Sequence, residues 1–379
     1  MKICLISLNS LPAISREHQH LYSGGAEVQL AQLAIALSKL GHEVSLVVGD
    51  FGQPDGAIYE GVRTLKAFKP SGGIRGLRFF HPRWTGLWKA ISRANADVYY
   101  YSCAGMILGL LAMFCRIHRK RLVFRAASDS DCSPHTLLDT NRRDRWLYEY
   151  GIRRTDAVLV QSRVQQEAMM SNFGARSTIV RGLIERPLHD SEFQPKDIDV
   201  LWVANMRHLK RPDRLIEIAR ALPQYRFHMV GGPVPDEEDF FHRVEEQARM
   251  VGNLTFHGKV PYLGVGRFFD RARLVANTSE VEGFPNTFLQ AWVRGIPVVT
   301  MFDPDRLVTR EALGTSHQTV PDMVSGIECL LEKVDAYKQV STNALRFMEH
   351  KFGSDKVLAP YLGALIGPSP DMNSVRVPC

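Results

Sequence analysis

Twice along the chain, short runs of β-branched and aliphatic residues alternate with segments whose apolar residues recur at helical spacing, and few folds accommodate that alternation. The first series predicts a strand over 3–8, then Gly24-Gly25 and a helix with Leu30, Leu33, Ala34 and Leu37 on one face. Gly41 stops that helix before a strand over 44–48. The pattern continues with a strand over 97–102, a helix over 106–117, a strand over 121–126, a helix around 144–151 and a strand over 157–161. A second series predicts strands over 199–205, 226–230, 254–257, 273–277 and 296–301, with helices over 212–222, 237–251, 265–271 and 286–294 between them. Each series reads as a doubly wound parallel sheet with helices on both faces, an α/β Rossmann-like domain. A length of 379 residues suits two such domains. The polar stretch with two prolines after Glu185 predicts a linker at 187–198, dividing an N-terminal domain, 1–186, from a C-terminal one, 199–367. Residues 368–379 read as a loose tail. In such folds the ligand lies outside the carboxyl ends of the strands.

Charge is divided unequally. The net +7 arises wholly from residues 1–190, where 25 Lys and Arg oppose 16 Asp and Glu. Between Glu60 and Asp129, thirteen cations face the single acid Asp97, which reads either as scattered solvated charge or as a field for an anionic partner: a phospholipid surface, a nucleic acid or a phosphorylated acceptor. Trp84, Leu87, Trp88 and Ile91 share a helical face here, with Arg83, Lys89 and Arg93 between them; that face either packs on a sheet or lies on anionic lipid. The uncharged stretch 98–115 is broken by Ser102 and two glycines and reads as strand then buried helix rather than a span. Six widely spaced cysteines without a C-x-x-C pair predict free thiols in a reducing cytoplasm. The N-terminus carries no signal-peptide pattern. His18-x-His20 lacks a third ligand, and D-x-D spellings recur at 129–131, 197–199 and 303–305, so no metal site is expected. No G-x-G-x-x-G follows a predicted strand, which disfavours a dehydrogenase.

The most informative segment runs from Glu280 through Glu282-Gly283-Phe284-Pro285-Asn286-Thr287 to Gln290 and Gly295-Ile296-Pro297-Val298-Val299. A strand ends, a carboxylate stands in the loop, and a helix begins with unpaired N–H groups that suit a phosphate. This segment resembles the signature of the retaining, nucleotide-sugar-dependent glycosyltransferases of family 4, whose GT-B fold has two Rossmann-like domains facing across an interdomain crevice. The resemblance implies that Glu282 contacts the donor sugar and that the backbone at Phe284, Pro285, Asn286 and Thr287 holds the diphosphate. Gln290 stands where the family has a second Glu, bonding the ribose hydroxyls.

The likeness extends across most of the chain. The segment Asn205-Met206-Arg207-His208-Leu209-Lys210 is similar to the family's Arg and Lys diphosphate clamp, with Lys210 matching the Lys, Asn205 at the Arg position and Arg207 beside it. Lys259 and Val260 fall in a strand and turn resembling the one that receives the nucleotide base. Gly24 and Gly25 resemble the glycine loop near the donor phosphate. The family's crevice His is replaced by a segment in which Asp129 or His135 is the candidate for that role. The resemblance thus implies a retaining transfer from a nucleoside diphosphate sugar to a saccharide or lipid-linked acceptor, with no metal, no further cofactor and no nucleic acid partner. The cysteine usage predicts a cytoplasmic enzyme, and the basic excess between Glu60 and Asp129 predicts peripheral contact with an anionic membrane. A nucleotide-sugar epimerase on the same fold, or a non-catalytic nucleotide-sugar-binding subunit, is the alternative left open by Asn205 and Gln290.

Overall fold

A computed structural model describes residues 1–74, 77, 79–133, 142–184, 195–235 and 237–367. The chain forms two units by internal contact: Met1–His18, Ala26–Leu183 and Ser354–Cys379 make the first, Gln19–Gly25 and Ile184–Gly353 the second.

The first unit runs β1 (Lys2–Ile6), α1 (Leu11–Ile14), α2 (Gly25–Lys39), β2 (Glu43–Val48), β3 (Ile58–Tyr59), β4 (Val62–Lys66), α3 (Thr85–Ala94) and β5 (Val98–Ser102). It continues with α4 (Met106–His118), β6 (Arg121–Arg125), α5 (Arg142–Ile152), β7 (Ala157–Val160), α6 (Arg163–Phe173) and β8 (Ser177–Ile179). The eight strands lie in the order β3-β4-β2-β1-β5-β6-β7-β8, and every pairing is parallel except that of the two-residue β3. The central strands are buried along nearly their whole length, as expected of strands covered by helices on both faces. That burial explains their unbroken apolar runs.

The stretch 98–115 is divided as expected, into β5 and α4. Helix α4 is apolar because it is enclosed by the sheet and α5, and the approach is close. A Cβ at Gly109 would stand 2.4 Å from the Leu147 carbonyl oxygen, so glycine is required there. The Trp84 face of α3 packs inward: Leu87 and Ile91 are buried, Trp84 stacks on Trp88 at 6.5 Å, and Trp88 meets the ring of Phe114 edge-on at 5.1 Å. The aromatic reading of that face as a lipid contact is therefore not what the fold uses. Among the described residues, no helix is long and apolar enough to cross a membrane.

The second unit carries β9 (Ile198–Val203), α7 (Pro212–Ala221), β10 (Phe227–Val230), α8 (Glu238–Arg249), β11 (Leu254–Phe256), α9 (Tyr262–Arg271) and β12 (Ala272–Asn277). Then follow α10 (Asn286–Trp292), β13 (Val298–Thr300), α11 (Leu307–Arg310), β14 (Gly314–Ser316), α12 (Val320–Glu332) and α13 (Val334–Lys351). Its six parallel strands lie in the order β11-β10-β9-β12-β13-β14. The last helix, α14 (Ser354–Ile366), belongs to the first unit. Val357, Leu358, Tyr361 and Leu365 are its buried stripe, the Tyr361 hydroxyl donates to the Arg181 carbonyl at 2.9 Å, and Arg121 Nε donates to the Ala364 carbonyl at 2.8 Å.

The domain bounds expected from sequence differ at three places. The second unit ends at Gly353 rather than 367, because the apolar stripe of α14 is completed by the first sheet. The Gln19–Gly25 segment groups with the second unit. Ile198, the last residue of the expected linker, is already in β9, and most of that linker, with the 368–379 tail, lies outside the described residues. All five described cysteines, Cys4, Cys103, Cys115, Cys132 and Cys329, are free thiols.

Candidate active site

In the second sheet, the chain runs outward from β9 to β10 and β11 on one side, then resumes at β12 on the other. This makes the β9–β12 pair the topological switch point, where the loops leaving two adjacent parallel strands splay apart and leave room for a ligand. Leu201 opposes Val275 across the pair, so the loops after Val203 and Asn277 emerge side by side. Hydrogen bonds then tie them together. Glu280 N donates to the Leu209 carbonyl at 2.9 Å, Thr278 Oγ1 to the Lys210 carbonyl at 2.8 Å, and the buried indole of Trp202 to Thr278 Oγ1 at 2.9 Å.

Lys210 and Glu282, 72 residues apart in sequence, meet at this point with Nζ to Oε1 at 2.5 Å. Both side chains are largely withdrawn from water, at 18% and 13% exposure, so the pair is less screened than one on an open surface. The same Oε1 accepts Ser279 Oγ at 2.7 Å and Asn277 Nδ2 at 3.5 Å. Glu282 Oε2 takes no hydrogen bond from the described residues and is available to a hydroxyl donor. Around the pair, Arg211 and Arg214 both reach Glu280, at 2.5 and 3.0 Å, which pins the base of the loop.

The other residues picked out by sequence fall into three groups. Asn205, Asn286 and Lys259 turn toward the Gln19–Gly25 segment. Asn205 Nδ2 donates to the Ser23 carbonyl at 3.3 Å, Asn286 Nδ2 to the Gly25 carbonyl at 2.9 Å, and Lys259 Nζ to the His20 carbonyl. A Cβ on Gly25 would sit 3.0 Å from the Asn286 amide, while Gly24 is buried beside it. Arg207 is drawn to Glu237, 3.7 Å away, rather than to Lys210. Phe284 packs edge-on to Trp292 at 6.2 Å; Pro285 caps α10 at its first turn, Thr287 follows within that turn, and Val260 borders Gly264.

Gln290 is committed within its own helix region. Its Oε1 accepts Arg294 Nη1 at 2.9 Å and its Nε2 approaches the Tyr262 hydroxyl at 3.4 Å, while Arg294 Nε binds Asp270 at 2.6 Å. The spacing of four residues puts Arg294 one turn below position 290, a neighbour that helix periodicity alone makes visible. A glutamate at 290 would therefore have a cation waiting. We expect Gln290→Glu to leave the fold intact and to change the donor KM less than tenfold. Gln290→Leu, which strips both hydrogen-bonding functions, should weaken donor binding more. Titration calorimetry on the two variants checks this, and a Leu variant binding as well as the parent would overturn the expectation that residue 290 faces a nucleotide.

In the first unit the switch point lies between β1 and β5, and a cavity of about 160 Å³ opens there, lined by Ser7, Asn9, Glu27, Tyr101, Ser102 and Cys103 among others. Asp129 stands in the nearby 3-10 turn Asp129–Cys132, where its Oδ1 accepts the amide of the buried Gln165 at 2.9 Å. His135 lies outside the described residues. The more unusual acid is Asp131, which sequence reading passed over as part of a chance D-x-D. It is buried, accepts the amides of Ala127 and Ser128 at 2.7 and 3.2 Å, and burial raises its pKa to about 6. A carboxyl held above its unfolded value of 3.8 binds more protons folded than unfolded, so its contribution is present in acid and lost as pH rises through about 6. Between pH 4 and 7 the parent should lose ~2–3 kcal/mol of stability relative to Asp131→Asn, as read from urea midpoints. Parallel curves for the two proteins would contradict a protonated Asp131.

Among the described residues, no group of three His, Cys, Asp or Glu side chains could hold a metal ion. Comparison with known proteins bears on the family and the fold. The sequence profile of Glycosyltransferase Family 4 matches residues 23–182, and that of Glycosyl transferases group 1 matches residues 186–305. The O-antigen biosynthesis glycosyltransferase WbnH of Escherichia coli is 26% identical over 150 residues, a stretch that spans 38% of this chain and 41% of that relative. Among solved structures, the sucrose-phosphate synthase of Thermosynechococcus elongatus superposes with a TM-score of 0.73 at 19% identity, covering 96% of this chain and 98% of its own. HepE of Anabaena, in complex with UDP and glucose, superposes with a TM-score of 0.74 at 17% identity, covering 97% and 100%. Both likenesses establish a GT-B fold of two parallel-sheet α/β domains.

Proposed function

Since the chain belongs to the group 1 glycosyltransferases of the family 4 type, we propose that it moves a sugar, with retention of anomeric configuration, from a nucleoside diphosphate donor to a saccharide acceptor. The observation that carries this reading is the Lys210–Glu282 pair at the β9–β12 switch point. In the reaction, the bond from the anomeric carbon to the diphosphate oxygen breaks and its electron pair leaves on the diphosphate. The acceptor oxygen bonds the same face of the carbon and passes its proton to the departing diphosphate oxygen. Charge therefore develops on the diphosphate. Lys210 is placed to take it, exchanging part of its contact with Glu282 for phosphate oxygens, and the amides of Asn286 and Thr287 assist. Glu282, held through Oε1, presents Oε2 to a sugar hydroxyl and orients the ring. The scheme calls on no divalent ion.

The donor to test first is UDP-glucose, because HepE was solved with UDP and glucose. The acceptor class to test first is a lipid-linked saccharide of surface-polysaccharide assembly, because WbnH acts in O-antigen biosynthesis. The free thiols suit a reducing compartment, and with it a cytoplasmic site of action. A thermal-shift screen of nucleoside diphosphates and their sugars should give one diphosphate that raises Tm by mass action. Turnover should require acceptor, yield a product of the donor's anomeric configuration by NMR, and persist in EDTA. Failure of every diphosphate to bind would overturn the reading. Conversion of the donor sugar without acceptor would establish the epimerase, binding with no turnover the non-catalytic subunit, and loss of turnover in EDTA would replace the metal-free scheme.

A further inference from the structure

Once the tryptophans of α3 are turned inward, the basic excess of the first unit still lacks a place to act, and a different surface answers to it. Helix α5 begins beside the turn Phe79–Trp84, where the Arg143 guanidinium lies 3.8 Å over the Phe79 ring. Three residues on, Trp146 is exposed and stacks on Tyr150 at 5.5 Å; four residues beyond Tyr150, the Arg154 guanidinium covers that ring at 4.2 Å. Spacings of three and four keep Arg143, Trp146 and Tyr150 on one helix face. At its far end, Arg154 enters a cleft of about 550 Å³ lined also by Arg116, Arg119, Lys120, Arg121 and Asp156. Asp156, the single acid there, already accepts the Leu122 amide at 2.7 Å, whereas Arg116, Arg119 and Lys120 have no carboxylate partner among the described residues.

The rim of this belt is apolar. Ile74, Leu77 and Phe80 recur every three residues and are all exposed next to Phe79, and Ile117, between Arg116 and His118 at the cleft, is 66% exposed. Cations interleaved with exposed aromatic and aliphatic side chains are what an interfacial lipid surface recognises: rings and alkyl chains enter the acyl boundary while guanidinium and ammonium groups meet phosphates. Acids on the same helix are neutralised locally, Asp144 by Arg143 at 2.7 Å and Glu149 by Arg145 at 2.9 Å. We propose that the α5 face and the Arg116–Arg154 cleft dock the first unit on an anionic phospholipid bilayer, the cleft seating phosphate headgroups. This surface involves neither Lys210 nor Glu282, so the proposal stands independently of the transferase reading.

The test is co-sedimentation of the full chain with vesicles of phosphatidylcholine alone or with 30% phosphatidylglycerol, at low and high salt. Three proteins are compared: the parent, the triple variant Arg116→Glu, Lys120→Glu, Arg154→Glu, and the triple variant Ile74→Ser, Leu77→Ser, Phe80→Ser. The parent should bind only the anionic vesicles and release in salt. Each cation near such a surface multiplies binding about fivefold, so the charge variant should bind about a hundredfold more weakly, or worse. The apolar variant should lose binding at least tenfold at low salt. Unchanged Tm and unchanged donor binding in both variants show that the loss is local. No binding to anionic vesicles, equal binding to neutral ones, or parental binding by either variant overturns the proposal. So does complete displacement of the protein by millimolar inorganic pyrophosphate, which would identify the cleft as a seat for a free phosphate compound.

Discussion

Lys210→Ala should lower kcat/KM for the donor by about 2–4 kcal/mol, with most of the loss in kcat, because the ammonium meets charge that is largest as the diphosphate departs. The geometry sharpens this expectation. Lys210 is held by Glu282 at 2.5 Å, by a loop whose backbone is fastened at Leu209 and Lys210, and at low exposure, so its position is set before substrate arrives. Lys210→Arg should restore less than Lys210→Ala loses, since a planar fork cannot occupy the same point between Glu282 and a phosphate. Steady-state kinetics with the donor identified by thermal shift, alongside melting curves, decides the matter. A folded Lys210→Ala protein with parental kcat/KM would remove this residue from the site.

The sheets were legible because their central strands are buried on both faces, so β1 and β5 appear as apolar runs, and β9 and β12 as apolar runs interrupted by Asp199 and Arg273, that need no knowledge of their neighbours. Assignment of α14 was not, since its stripe of Val357, Tyr361 and Leu365 states only that something covers it. The meeting of Lys210 with Glu282 follows from strand order, which no local spacing encodes; family likeness assigned the two to one donor site, on the diphosphate and on the sugar, without pairing them. The partners of individual side chains were less legible than the loops that carry them. Asn205 and Arg207 find partners at Ser23 and Glu237, and Asp129 at Gln165, because short polar side chains and exposed guanidiniums bond whatever tertiary neighbour is nearest. The Gln290–Arg294 contact, by contrast, is readable from helix periodicity.

The largest effect on turnover is expected at Glu282, where two substitutions separate chemistry from architecture. Glu282 Oε1 collects Lys210, Ser279 and Asn277, so Glu282→Ala leaves a half-buried ammonium and two polar side chains without their acceptor. Such orphaned groups cost about 1–3 kcal/mol of stability, and the variant should melt lower as well as lose turnover. Glu282→Gln keeps the shape and one accepting oxygen, and should preserve Tm to within a degree or two. It nevertheless removes the charge that strengthens the bond to a sugar hydroxyl, so kcat should fall about 10²-fold or more with a smaller change in KM. Because Lys210 and Glu282 position each other, the double variant Lys210→Ala, Glu282→Ala should cost clearly less than the sum of the two single losses. Strict additivity in kcat/KM would mean that the pair does not work as a unit. A Glu282→Gln protein that turns over donor at the parental rate would move the reaction away from the β9–β12 switch point altogether.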